Sequence, residues 1–164
     1  MQRAARTEEM SMRPKSAGGL VRGLEPEMQL SLKLAQAEMQ SLCDMLEDIA
    51  DSLPHSMNAG ICAKAAETIE PLVRRIHAFE EHEIFPKYAA ANPGAATLEM
   101  LDRLRDEHCV DECYAEELSD ALKRVSSVSD PISPDTLGYM LRGFFEAMRR
   151  HQAFEVAQFV APRQ

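Results

Sequence analysis

The sequence predicts an all-α fold, an antiparallel up-down four-helix bundle. Three observations predict it. Four long segments carry apolar residues in steps of three and four, the period of a helix buried on one face. Proline, glycine and serine gather between those segments. No stretch alternates polar and apolar residues between hairpin turns, as a β-rich chain requires. The composition agrees: the 164 residues include ten Met, no Trp and only 5% aromatic residues, a mixture poor in strand formers.

The first segment runs from about Glu27 to Leu53, between Pro26 at its start and Pro54 at its end. Proline is tolerated in a first helical turn and stops a helix elsewhere. Its seam reads Met28, Leu32, Ala35, Met39, Leu42, Leu46, Ile49, Leu53. The second segment runs from about Asn58 to Ala90. Pro71 is expected to kink it and Pro86 to break or end it. One face carries Ile69, Val73, His77, Glu81 (or Glu80), Ile84 and Tyr88, and Asn92-Pro93-Gly94 forms the following loop. The third segment runs from about Ala96 to Val125, with Leu101, Leu104, His108, Glu112, Ala115, Leu118 and Leu122 near one stripe. A loop at 126–134 follows, and Ser133 or Asp135 is placed to cap the last helix. That helix runs to about Val160 on a seam of Leu137, Leu141, Phe144, Met148, His151, Glu155 and Phe159.

Residues 1–24 lack a helical or strand period and carry scattered Arg and Lys among glycines. They are expected to form a disordered tail, with the bundle over 25–164. Twenty-seven acidic against 18 basic residues give a net charge of −9, which argues against nucleic acid as the main partner. No apolar run approaches a membrane span, and no apolar export signal leads the chain. Cys43, Cys62, Cys109 and Cys113 include no C-x-x-C pair. They are expected to be reduced thiols in a cytoplasm, mostly small buried hydrophobes, Cys109 and Cys113 included.

The chemistry concentrates in the histidines. Of five, His77, His108 and His151 fall on the apolar seams of three different helices. Each has a glutamate four residues on: Glu81, Glu112 and Glu155. Positions i and i+4 share a helix face, so each pair can reach one inter-helical cavity. Glutamate is almost never fully buried unpaired, because isolating a carboxylate from water is costly. Several such groups in a bundle core need a cation to offset them. Imidazole with carboxylate suits iron, zinc or manganese. Glu112 is an extra ligand or a solvated flank of the stripe. His82, rotated about 100° from Glu81, reads as a surface histidine. No catalytic triad or phosphate-cradling glycine loop is present.

Three stretches carry a resemblance: "RIHAFEEHEIFPKY" at 75–88, "RDEHCVDECYAEEL" at 105–118 and "RRHQAFEVAQFVAP" at 149–162. With them the chain resembles the hemerythrin-like, or HHE cation-binding, domains over about residues 28–162. "LCDMLEDIADSLP" at 42–54 is similar to the first helix of one bacterial branch. The resemblance implies a four-helix bundle with a non-heme di-iron centre. It implies His77, Glu81, His108, His151 and Glu155 as ligands, with Glu81 and Glu155 bridging. It further implies a small diatomic ligand or peroxide as partner and a role in binding or sensing O2, NO or peroxide, or in handling iron. One departure stands out. The family places a histidine on helix one, where this chain reads Ala37-Glu38-Met39. A thioether is a poor ligand for a hard ferric ion, so a single metal, or zinc, is the alternative to a complete di-iron pair. A metal-poor bundle serving as a regulatory or interaction module is the competing reading, and a homodimer stays open.

Overall fold

The computed structural model describes residues 22–160. Among them there are five α-helices and no strand. The helices are α1 (Pro26–Ser52), α2 (Ala59–Phe79), α3 (Phe85–Ala91), α4 (Ala95–Lys123) and α5 (Pro134–Glu155). A five-residue π-helical turn, Glu80–Ile84, joins α2 to α3, so the two form one continuous rod. A second π turn, Val156–Val160, extends α5. Four rods therefore make the bundle, as the seams predict. None of the described helices is long and apolar enough to cross a membrane.

The helix ends follow local chemistry. Asn58 caps α2, its side-chain oxygen accepting from the backbone N–H groups of Gly60 and Ile61 at 3.0 and 3.1 Å. Ser133, not Asp135, caps α5, accepting from the Thr136 N–H at 3.1 Å. Each satisfies donors that a helix start leaves orphaned. Pro26 and Pro134 sit in the first turns of α1 and α5, where no donor is lost. Gly94, before α4, has φ 156° and ψ 159°, a conformation that side-chain-bearing residues rarely adopt.

Pro86 behaves differently from the sequence expectation. The rod does not break there, but runs on helically to Ala91. The π turn just before it is the physical reason. Phe85 N–H bonds back to Glu80 O, one residue further than in an α-helix, and this widened turn leaves room for the proline ring. Pro71 likewise lies within an unbroken α2.

In the core, α2 packs chiefly against α4, and α1 against α5. Two apolar clusters result. The larger runs from Ala35 and Met39 through Val73, Leu118 and Phe144 to Met148. The smaller holds Leu24, Leu32, Ile84, Phe85, Tyr88, Leu101, Leu104 and Phe159. Fully burying a side chain such as Leu118 contributes about 1.5–3 kcal/mol. Polar residues fill the level between the clusters, and the candidate site lies there.

Residues 1–21 of the expected tail lie outside the described residues. Residues 22–24 belong to the packed body. The backbone N–H of Arg22 donates to Asn92 Oδ1 at 2.7 Å, and Leu24 is buried in the smaller cluster. Cys43 and Cys62 are buried as expected, but Cys109 and Cys113 are exposed. They sit on the outward side of α4, one helical step from the inward His108.

Candidate metal centre

Seven polar or charged residues are buried among those described, and five of them meet at one level: His77, Glu80, His108, His151 and Glu155. Donor atoms of His77, Glu80 and His108 lie within 4.8 Å of one another, as do those of His108, His151 and Glu155. The predicted His77, His108, His151 and Glu155 are thus brought together. Glu81 stands apart: its side chain is about one-third exposed and absent from both buried groups. Glu80 takes the inward place, because the π turn shifts the rod's register between His77 and Ile84.

Carboxylates hold the outer edges of the rings. His108 Nδ1 lies 2.8 Å from Glu81 Oε1. A carboxylate accepts, so the proton sits on Nδ1 and the lone pair on Nε2. His77 Nδ1 lies 3.3 Å from Glu112 Oε1, whose other oxygen meets Arg74 at 3.4 Å. His151 Nδ1 lies 3.4 Å from Glu107 Oε2 and 3.5 Å from Asp111 Oδ2. Glu112, left open as a ligand by the sequence, therefore backs His77 from outside. His82 is exposed, as expected, with Nδ1 2.7 Å from Ala78 O.

The inner edges are unsatisfied. His108 Nε2, His151 Nε2 and both carboxylate oxygens of Glu155 are buried without a hydrogen-bond partner. His108 Nε2 faces Glu80 Oε2 at 3.5 Å, and His151 Nε2 faces Glu155 Oε1 at 3.6 Å. On His108, lone pair faces carboxylate, and two acceptors gain nothing from each other. Only a proton or a cation between them resolves the contact. The residues present fit a metal ion, since these orphaned atoms are the donors that such an ion takes.

The electrostatics point the same way. Burial, then neighbouring His108 and His151, push His77 down to about 2. Burial, then His151 and Arg105, push His108 down to about 3. Both rings are neutral, the state that ligates metal. Burial, then the nearby Glu155 and Glu81 charges, raises Glu80 well above the usual carboxylate range. Burial pulls His151 down, but Glu155, Asp111 and Glu107 outweigh it and the net shift is upward. Burial raises Asp111 to about 6. A set of acids pushed toward neutrality by one another is what a cation would reverse.

A groove of about 560 Å³ between α4 and α5 reaches the site, lined by Arg103, Glu107, Asp111, Arg150, His151 and Phe154 among others. On the other side His77 stacks on His108, centroids 3.9 Å apart, and Phe85 covers His108 at 5.6 Å.

The family model for the hemerythrin HHE cation binding domain matches residues 31–160. The chain belongs to the hemerythrin HHE cation-binding family. The family is a cation-binding one, and the two buried histidine–glutamate groups are arranged so that they could hold a metal ion. Neither the curated proteins nor the solved structures contain a match. Within the family frame, Met39 is 2% exposed on α1. The Glu38–Arg75 ion pair at 2.5 Å ties that stretch of α1 to α2 just before His77.

Sequence reasoning missed Asp111 and Glu107 and placed Glu80 second to Glu81. For Asp111 the signal existed: Leu104, His108, Asp111, Ala115, Leu118 and Leu122 step strictly by four and three, and all are buried. Glu112 breaks that alternation.

Proposed function

We propose that this hemerythrin-family protein holds non-heme iron between its four helices and binds a small ligand there: O2, NO or peroxide. The observation that carries the reading is the inner edge of the site without hydrogen bonds, above all the two buried oxygens of Glu155, one of them 3.6 Å from His151 Nε2. Iron there would supply a redox-active Lewis acid with room for one further small ligand. The chain's own residues do the rest. Glu81, Glu112 and the Glu107–Asp111 pair orient the imidazoles. Phe85 and the apolar clusters keep bulk water from the inner edge. The α4–α5 groove gives a diatomic molecule a path to His151. The four free cysteines suit a reducing compartment such as a cytoplasm.

Met39 supports a second reading, a metal-poor bundle acting as a regulatory or interaction module, because α1 carries no histidine and buries the thioether of Met39 instead. One experiment separates the two. Metal-free protein is reconstituted anaerobically with ferrous iron, then exposed to NO or to air while the near-ultraviolet and visible spectrum is followed. The iron reading expects at least one iron per chain and a ligand-dependent change in the spectrum. Protein that takes up no iron would favour the module.

A further inference from the structure

The ring geometry divides the five buried donors. A ligating imidazole binds an ion lying in its own plane, about 2.0–2.1 Å from the nitrogen for a small divalent metal. The rings of His77 and His108 are stacked, with only 5° between their planes. Parallel planes do not meet, so in this arrangement the two histidines cannot face one ion. Rings stacked 3.9 Å apart do suit ligands of neighbouring ions, since paired metals sit about 3.5–4 Å apart. His108 and His151 are tilted by 38° with centroids 5.0 Å apart, closer than His77 and His151 at 34° and 6.0 Å, so their planes are not parallel and the two rings can face one ion. These two rings share a donor group with Glu155.

The two positions are therefore unequally furnished. One has His108, His151 and Glu155. The other has His77 with Glu80, and α1 brings to this level the buried Met39, near the residues just before His77 through the Glu38–Arg75 pair, and Gln36, whose neutral side-chain Nε2 is buried without a partner. A thioether adds little for a hard ion. Resting on the reading that the cavity binds iron, we propose that it offers two positions of unequal strength. The strong one lies at His108–His151–Glu155 and the weak one at His77–Glu80, and Met39 sets the inequality.

Anaerobic titration of the metal-free chain with ferrous iron, read by calorimetry and native mass spectrometry, tests this. The expected result is one ion bound at least ten-fold more tightly than a second, including the limit where the second step is too weak to measure. His77→Ala should keep the tight step, His151→Ala should lose it, and Met39→His should bring the second step into the range of the first. Far-ultraviolet circular dichroism identifies any variant that has unfolded, and His77→Gln then replaces His77→Ala. Two equal steps in the wild type, loss of all iron in folded His77 variants, or a second step unmoved by a folded Met39→His would overturn the proposal. A wild-type chain that binds no iron overturns the iron reading itself, and this inference with it.

Discussion

Both carboxylate oxygens of Glu155 are buried without a hydrogen bond, with a long contact to His151 Nε2 at 3.6 Å to set against that burial, which costs the metal-free protein stability. Glu155→Gln removes that charge at nearly constant shape. Metal-free Glu155→Gln should therefore be more stable than metal-free wild type by about 1–3 kcal/mol, or roughly 2–4 °C in Tm for each kcal/mol. Ferrous iron should bind the variant less tightly. Differential scanning calorimetry with and without iron checks both halves, and a variant less stable in the metal-free state would contradict the assignment. Glu80 and His151 give the pH dependence. Both are raised in the metal-free fold, so each keeps its proton to higher pH than it otherwise would, and a metal must displace that proton. The folded metal-free chain keeps a proton on Glu80 that the unfolded chain has released, so its stability falls as pH rises through that window. The iron-loaded chain carries no such proton. The Tm difference between loaded and metal-free protein should thus widen from pH 5 to pH 8; a gap that narrows would contradict this.

The element that decides which glutamate faces inward is the π turn Glu80–Ile84. It inserts one residue into an otherwise continuous rod, so Ile84, Phe85 and Tyr88 stay buried below while Glu80 replaces Glu81 at the site. Deleting the exposed His82 should relax the turn toward an α-helix without moving the apolar residues on either side. The variant is expected to keep its far-ultraviolet spectrum and bind iron more weakly, by titration. Unchanged iron affinity would mean that the turn does not set the ligand. Periodicity made the rods, their caps and the three seam histidines legible. It could not reveal the π turn, because a 3.6-residue repeat carries no term for an extra residue, and Pro86 reads by itself as a stop. Asp111 was within reach of the pattern, while the backing contacts of Glu107 and Glu112 are set by how α4 lies against α5 and α2.

At the scale of the whole molecule, the α2–α4 and α1–α5 pairings bring together donors drawn from three rods. No one rod holds a complete site, so metal binding depends on the folded bundle and stabilises it in return. At a free metal concentration of 100 times Kd the gain is about 2.7 kcal/mol. His108 is the joint of this arrangement: it belongs to both donor groups, stacks on His77 and leans toward His151. The most direct measurement is therefore the iron content of wild type and His108→Ala, reconstituted anaerobically with ferrous iron, desalted together and analysed for metal. The account predicts at least one iron per wild-type chain and well under half of that in a folded His108→Ala. Equal iron in the two proteins, or none in the wild type, would contradict it.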